Sequence, residues 1–255
     1  MTLLETVLSI TKQTYYDEDG EAFRAELLPP MLPAELARFQ QRLPGPIPRE
    51  IADMLAVTKG ITHPFLESVC PRINHDSWDD RLLPNAVYLA HDGRGNGFWV
   101  DVKSTGEWGA VLFVDHDPPI IMSFADSLQV FYELLYEDMR EPGYESAFYQ
   151  LYERVGGEIY QQDENVRPES NVSGLDIPAG TQLPQFYRVA RIKASGEGFA
   201  WGLYASDDFL LKLPDQLVWI VEVVEQRDVL GRPVAGQYGR RKGWVERFFD
   251  FLFST

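Results

Sequence analysis

Cysteine is almost missing from this chain: Cys70 is the single one in 255 residues. One thiol cannot close an internal disulfide, which excludes the disulfide-stapled class of small secreted domains and fits a reducing cytoplasm. Long apolar runs are also missing. The most apolar late stretch, Leu217 to Val224, is too short to span a bilayer and carries Glu222, so no membrane association is expected. Met1 to Gly20 has neither a basic leader nor an uninterrupted apolar core, so no signal peptide is expected there. Positive charge is scarce, with 23 Lys and Arg against 39 Asp and Glu, a formal charge of −16 and a pI near 4.6. Such a surface repels phosphate backbones over a Debye length, which disfavours nucleic acid as a partner and favours a basic protein. Hydrophobic residues at 45% are ordinary for a globular chain and exclude wholesale disorder. The expectation is a soluble, cytoplasmic protein.

The periodicities present are mixed. Thr2 and Glu5 have capping-box spacing, with Leu3, Leu4, Val7 and Leu8 on one helical face. Pro33 suits the first position of a short helix carrying Leu36 and Phe39. Pro48 opens another helix through Ile51, Met54 and Leu55, with Gly60 as its stop. Ile61 to Leu83 reads as irregular, with one short strand at most. Ala86–Ala90, Phe98–Val102, Ala110–Val114 and Ile120–Met122 read as strands, each aromatic or β-branched and flanked by Gly, Asp or Pro. Ser123 with Asp126 predicts the cap of a helix carrying Phe124, Leu128, Phe131 and Leu135. A further helix with Phe148, Leu151, Tyr152 and Val155 is expected to stop at Gly156-Gly157. Gln161 to Pro184 is polar and rich in breakers. Strand-like pieces follow at 186–192, 199–204, 209–213 and 217–224, read as a meander, and then a last helix from Trp244 to Leu252. The expected class is α+β, with helices on a mostly antiparallel sheet and a β-rich C-terminal region. The expected division is 1–158, a linker at 159–184, and 185–255.

Several clusters could carry chemistry. His63, His75-Asp76, His91-Asp92 and Asp115-His116-Asp117 follow an order similar to that of the metal-dependent HD phosphohydrolases. Those ligands project from helices, whereas His91 and His116 fall in predicted turns, where Asp and His bond local backbone. The turn reading is favoured, and no metal is expected. His91-Asp-Gly-Arg-Gly-Asn-Gly97 is rich enough in glycine to consider a phosphate cradle. A P-loop needs Gly-Lys-Ser/Thr and leads into a helix, but this loop leads into the strand starting at Phe98. Hairpin geometry explains its glycines better, and no cofactor is expected. Cys70 lacks a nucleophile motif and reads as a small buried hydrophobe. Arg232, Arg240, Arg241, Lys242 and Arg247 form a local basic patch that binds an acidic face or neutralises this chain's own acids.

Leu43-Pro44 with Ile47-Pro48 and the helix after it, Lys59-Gly60, Leu89 to Asp101, Gly109-Ala-Val111, and Ser123-Phe124 with Leu128 and Leu135 occur in one order. In that order they resemble the SUKH superfamily, the Smi/Knr-like domain of bacterial toxin-immunity proteins and fungal cell-wall-synthesis regulators. The resemblance covers roughly residues 28–140. Lys59 stands where the family has Asn, and residues after Gln161 have no counterpart in it. The resemblance implies an α+β domain without catalytic residues that binds a cognate toxin, often a basic nuclease. The contact surface is expected around Trp78, His91, Asp92, Arg94, Asn96, Trp108, Asp115, His116 and Asp117. A regulatory scaffold like the fungal relatives is the second reading, and a metal-dependent hydrolase using His63, His75, Asp76 and Asp115 the third.

Overall fold

In the computed structural model, residues 1–16, 20–72, 82–116, 119–141, 145–162, 168–169, 171–201, 209–227 and 232–239 are described. The architecture is α+β, and every strand pairing among these residues is antiparallel. No helix among them is long and apolar enough to cross a membrane.

The N-terminal helix α1 (Leu3–Ile10) forms as its capping box predicts: Thr2 accepts from the Glu5 N–H and the Glu5 carboxylate accepts from the Thr2 N–H. A two-residue hairpin follows, β1 (Tyr15–Tyr16) with β2 (Ala22–Phe23). Proline opens α2 (Pro33–Gln40) and precedes α3 (Arg49–Val57). The stretch expected to be irregular contains a second hairpin, β3 (Ile61–His63) with β4 (Glu67–Val69). His63 makes its turn: the buried imidazole Nδ1 accepts from the N–H groups of Phe65 and Leu66, at 3.2 and 3.1 Å.

The central sheet contains β5 (Val87–His91), β6 (Gly97–Val102), β7 (Trp108–His116) and β8 (Pro119–Ala125), extended at one edge by β10 (Gly198–Ala200) in the order β10-β8-β7-β6-β5. Alternation along these strands divides two cores. Phe98, Val100, Phe113, Met122 and Phe124 face the helices. Tyr88, Trp99, Leu112, Val114 and Ile121 face the other way. On the helix side the rings of Phe113, Phe124, Phe131 and Phe148 surround Phe98, with centroids 4.9 to 5.9 Å away. Each such pair contributes roughly 0.5–1.5 kcal/mol beyond its buried area.

Two helix boundaries differ from expectation. Ser123 does not cap a helix: β8 runs on to Ala125, which pairs with Val111, and Ser127 is the cap of α4 (Leu128–Arg140), accepting from the Val130 N–H. Phe124 kept helical spacing with Leu128 by coincidence of a strand ending one turn before the helix. The next helix, α5 (Ala147–Gln162), passes through Gly156-Gly157. Two interior glycines cost about 1 kcal/mol each. Burial of Ile159 against the sheet offsets this, and that side chain lies close over Gly198, where a Cβ would stand 2.6 Å from its Cδ1.

The C-terminal region is not a simple meander. Strands β9 (Tyr187–Arg191), β11 (Leu210–Lys212) and β12 (Val218–Glu222) form a separate sheet ordered β11-β12-β9, while β10 leaves it for the edge of the central sheet. Trp219, Val221, Leu210 and Phe199 complete the second core with Trp99 and Leu112. Both sides of the expected 159–184 boundary therefore contribute to one sheet and one core. Strands β13 (Val224–Arg227) and β14 (Pro233–Gly239) pair after it and were not expected from sequence. The expected helix at 244–252 lies outside the described residues, as do Arg240, Arg241, Lys242 and Arg247.

Burial holds the His63 imidazole down to about 4, so it is neutral at pH 7. In the unfolded chain it takes up a proton near its ordinary value of 6.5, so the unfolded state binds more protons between the two values. This contribution is fully present above about pH 6.5 and declines as pH falls toward 4, by at most about 3 kcal/mol. Urea unfolding of wild type and His63→Asn across that window is expected to show the slope in wild type and its loss in the variant.

Candidate functional site

At one end of the central sheet, the β3–β4 and β5–β6 turns, the end of β7 and helix α5 meet. Asp92 fixes the turn between β5 and β6. Its Oδ1 accepts from the N–H groups of Arg94 and Asn96 at 2.8 and 3.1 Å, and its Oδ2 accepts from Asn96 Nδ2 at 2.7 Å. Tyr152 of α5 donates its hydroxyl to the same Oδ2 at 2.7 Å. Asn96 then reaches across to β7. Its Oδ1 accepts from the His116 N–H at 3.2 Å and stands 2.8 Å from His116 Nδ1, so that nitrogen carries the proton in this arrangement. Gly95 has φ +98°, and a Cβ there would lie 3.0 Å from the His116 ring, so both the backbone and the close imidazole select glycine.

His91 accepts the Gly93 N–H at Nδ1, which leaves Nε2 as the donor, directed toward Glu67 at 3.9 Å. Glu67 belongs to β4 and has φ +55°, a left-handed conformation at the end of the β3–β4 turn. That turn carries Phe65, 40% exposed, whose ring meets Tyr152 edge-on at 5.3 Å. Phe113 lies 5.3 Å from the same phenol ring. The result is an exposed aromatic packed on Tyr152, whose hydroxyl is part of the hydrogen-bonded set of charged and polar groups.

Burial alone raises the Asp92 carboxyl, but the Tyr152 hydroxyl and the Arg94 and Asn96 donors outweigh it and hold the group below its ordinary value. Burial, then the neighbouring Asp92 carboxylate, pushes the Tyr152 phenol well above its ordinary value. At neutral pH the pair is a fixed phenol-to-carboxylate bond that ties the loop to α5. This polarity suits a positioning contact; neither group is poised to exchange a proton near pH 7.

The structure brings together His91, Asp92, Arg94, Asn96, Asp115 and His116 at this end. Trp108 is elsewhere: it pairs with Val102 at the opposite end of the β6–β7 hairpin and packs 6.3 Å from Phe39. Trp78, Asp117, His75 and Asp76 lie outside the described residues. Among the described residues, no group of three or more His, Cys, Asp or Glu is arranged to hold a metal ion. Cys70 is buried, and burial raises its thiol above the ordinary value.

The sequence matches no family model and no curated protein, and the fold matches no solved structure. Function at this rim must therefore be argued from its chemistry. Phe65, Glu67 and Tyr152 escaped the sequence reading. Phe65 follows Pro64 between two three-residue strands, which was the available signal for an exposed aromatic in a turn. Tyr152 shares a helical face with Phe148 and read only as core.

Removing the Tyr152 hydroxyl leaves a buried carboxylate short of one donor. Tyr152→Phe is expected to cost about 1.5–3 kcal/mol in urea unfolding and to move the Asp92 carboxyl upward by NMR titration. Because the folded carboxyl is depressed, its contribution is present above the ordinary carboxylate range and is lost as pH falls through the folded value. A variant with unchanged stability and unchanged Asp92 titration would show that the bond positions nothing.

Proposed function

We propose that this chain is a non-enzymatic, cytoplasmic protein-binding module of the SUKH type that occludes a basic toxin of the nuclease class. The observation that carries the reading is the exposed Phe65 seated among loops immobilised by the Asp92–Asn96–Tyr152 network. Interfaces concentrate their binding energy in aromatic anchors surrounded by a polar rim, and loops fixed before contact lose little entropy on binding. Glu67 and Asp115 supply negative charge at this rim, on a chain of net charge −16. A basic nuclease is steered onto such a surface, and its nucleic-acid site is a complementary target. The motif resemblance supports the same reading, since its glycine loop, with Gly93 and Gly95 at positive φ, forms the rim.

The test is calorimetry and stopped-flow association with the purified product of each reading frame that neighbours this gene. Phe65→Ala is expected to weaken binding at least about tenfold. Glu67→Lys with Asp115→Lys is expected to slow association, with the difference shrinking as salt rises. Binding indifferent to salt and to all three substitutions would contradict the reading.

A further inference from the structure

On the face of the central sheet turned away from the helices, Trp99, Leu112 and Ile121 pack against the β11-β12-β9 sheet. Two residues further along β6, β7 and β8, toward the β6–β7 turn, the same face carries Asp101, Ala110 and Ser123. The apolar fill stops there. A cavity of about 270 Å³ remains between this floor and the ends of β9 and β12, at Lys193, Ala194 and Leu217. Two side-chain ties frame its mouth. Ser104, in the β6–β7 turn, donates its N–H and its hydroxyl to Asp215, both at 2.5 Å, and Ser195 donates its hydroxyl to Asp126 at 2.8 Å. The cavity lies at the opposite end of β6 from the Phe65 rim, since Val102 pairs with Trp108 here and Gly97 with Val114 there.

Buried polar groups are hydrogen-bonded as a rule, and on this floor they are only partly so. Asp101 is 5% exposed, and among the described residues its carboxylate meets Lys212 alone, 3.1 Å from Oδ1. An ionised carboxylate accepts about four hydrogen bonds, so acceptor capacity remains in a residue that lines the cavity. Ser123 is 2% exposed; its backbone bonds Glu197 and Gly196, while its hydroxyl makes no hydrogen bond among the described residues. At the mouth Lys103 is paired with Glu107 at 2.6 Å, whereas the Lys193 ammonium has no ion-pair partner among the described residues. Unspent acceptors thus lie inside, and an unspent cation stands at the lip. We propose that this cavity binds a free α-amino acid, its ammonium on Asp101 and Ser123 and its carboxylate on Lys193. An apolar ligand would leave both ends unpaired, while a zwitterion meets each with a charge-assisted hydrogen bond. Lys212 balances Asp101, and at the mouth Glu107, Asp126 and Asp215 outnumber Lys103 and Lys193, so the surroundings favour an ammonium inside. Size narrows the choice. Pockets for drug-sized ligands begin at roughly 300 Å³, and the flanking Ala110 and Leu217 leave a narrow apolar wall that suits a small side chain.

The experiment titrates ¹⁵N-labelled full-length chain with each common L-amino acid, and with propylamine and propionate as the two halves of the ligand. At least one small amino acid is expected to give saturable amide shifts around residues 101–110, 123–126 and 193–197. Each half is expected to bind at least about tenfold more weakly. Lys193→Met and Ser123→Ala are each expected to weaken the amino acid at least about tenfold. Ala110→Leu is expected to abolish binding by filling the floor, and Phe65→Ala to leave it unchanged. Asp101 is kept because it pairs with Lys212 in the interior, and the Lys193 and Ser123 variants carry the test if Ala110→Leu loses its native spectrum. Absence of saturable shifts with every amino acid would overturn the proposal. So would propylamine binding as tightly as the amino acid, or binding that survives both Lys193→Met and Ser123→Ala. Loss of binding in a natively folded Phe65→Ala would overturn it as well, by placing the contact on the rim.

Discussion

Strand β6 is buried at all six residues, and one of them is the carboxylate Asp101. An antiparallel sheet ordinarily offers one face to solvent. Here both faces are apolar and both are covered, so a charge placed in the middle must be met inside. Lys212 meets it at 3.1 Å, with its ammonium 5.6 Å from the Trp219 ring centroid. The indole of Trp219 in turn donates to Leu82 O at 2.9 Å. Taking two charges out of water is costly, and the pair is tolerable only because geometry, ring and backbone fix it in one place. That contact joins β6 of the central sheet to β11 of the β11-β12-β9 sheet, within the core the two sheets share.

The rim inherits this rigidity. The turn between β5 and β6 joins strands that are covered on both faces. Asp92 and Asn96 then convert a glycine-rich turn, which could sample many conformations, into a closed set of hydrogen bonds reaching β7 and α5. A surface built this way is fixed by its own hydrogen bonds, and its polar groups are largely occupied with one another. This is the physical difference between a loop with site-like residues and a site.

Much of the central fold was legible because each strand from Val87 to Ala125 is short, β-branched or aromatic, and bounded by turn residues. The alternation that divides two cores was also present, but an apolar residue at every position hides which face is which. Ser123 was misread because a serine two residues before a strand's end satisfies the same pattern as a helix cap, and only pairing of Ala125 with Val111 decides. Gly156-Gly157 read as a stop because propensity acts locally, while Ile159 is buried by residues far along the chain. The rim was half visible. Asp92 to Asn96 lie in a turn that sequence flags, whereas His91, Asp115 and His116, expected in turns, end the paired strands β5 and β7, and Phe65, Glu67 and Tyr152 join them only through folding. The strand β10 crossing to the edge of β8 was illegible for the same reason, since three residues carry no partner information.

The dependence of the whole on the two-sided cover is measured most directly by native-state hydrogen exchange of wild type and Lys212→Met. Loss of the lysine leaves Asp101 buried without its cation, which costs about 3–5 kcal/mol. A sheet held from both faces predicts that amides of β6, β7 and β12 lose that protection together, by the same amount. Protection falling in β11 and β12 alone, with β6 and β7 unchanged, would contradict it.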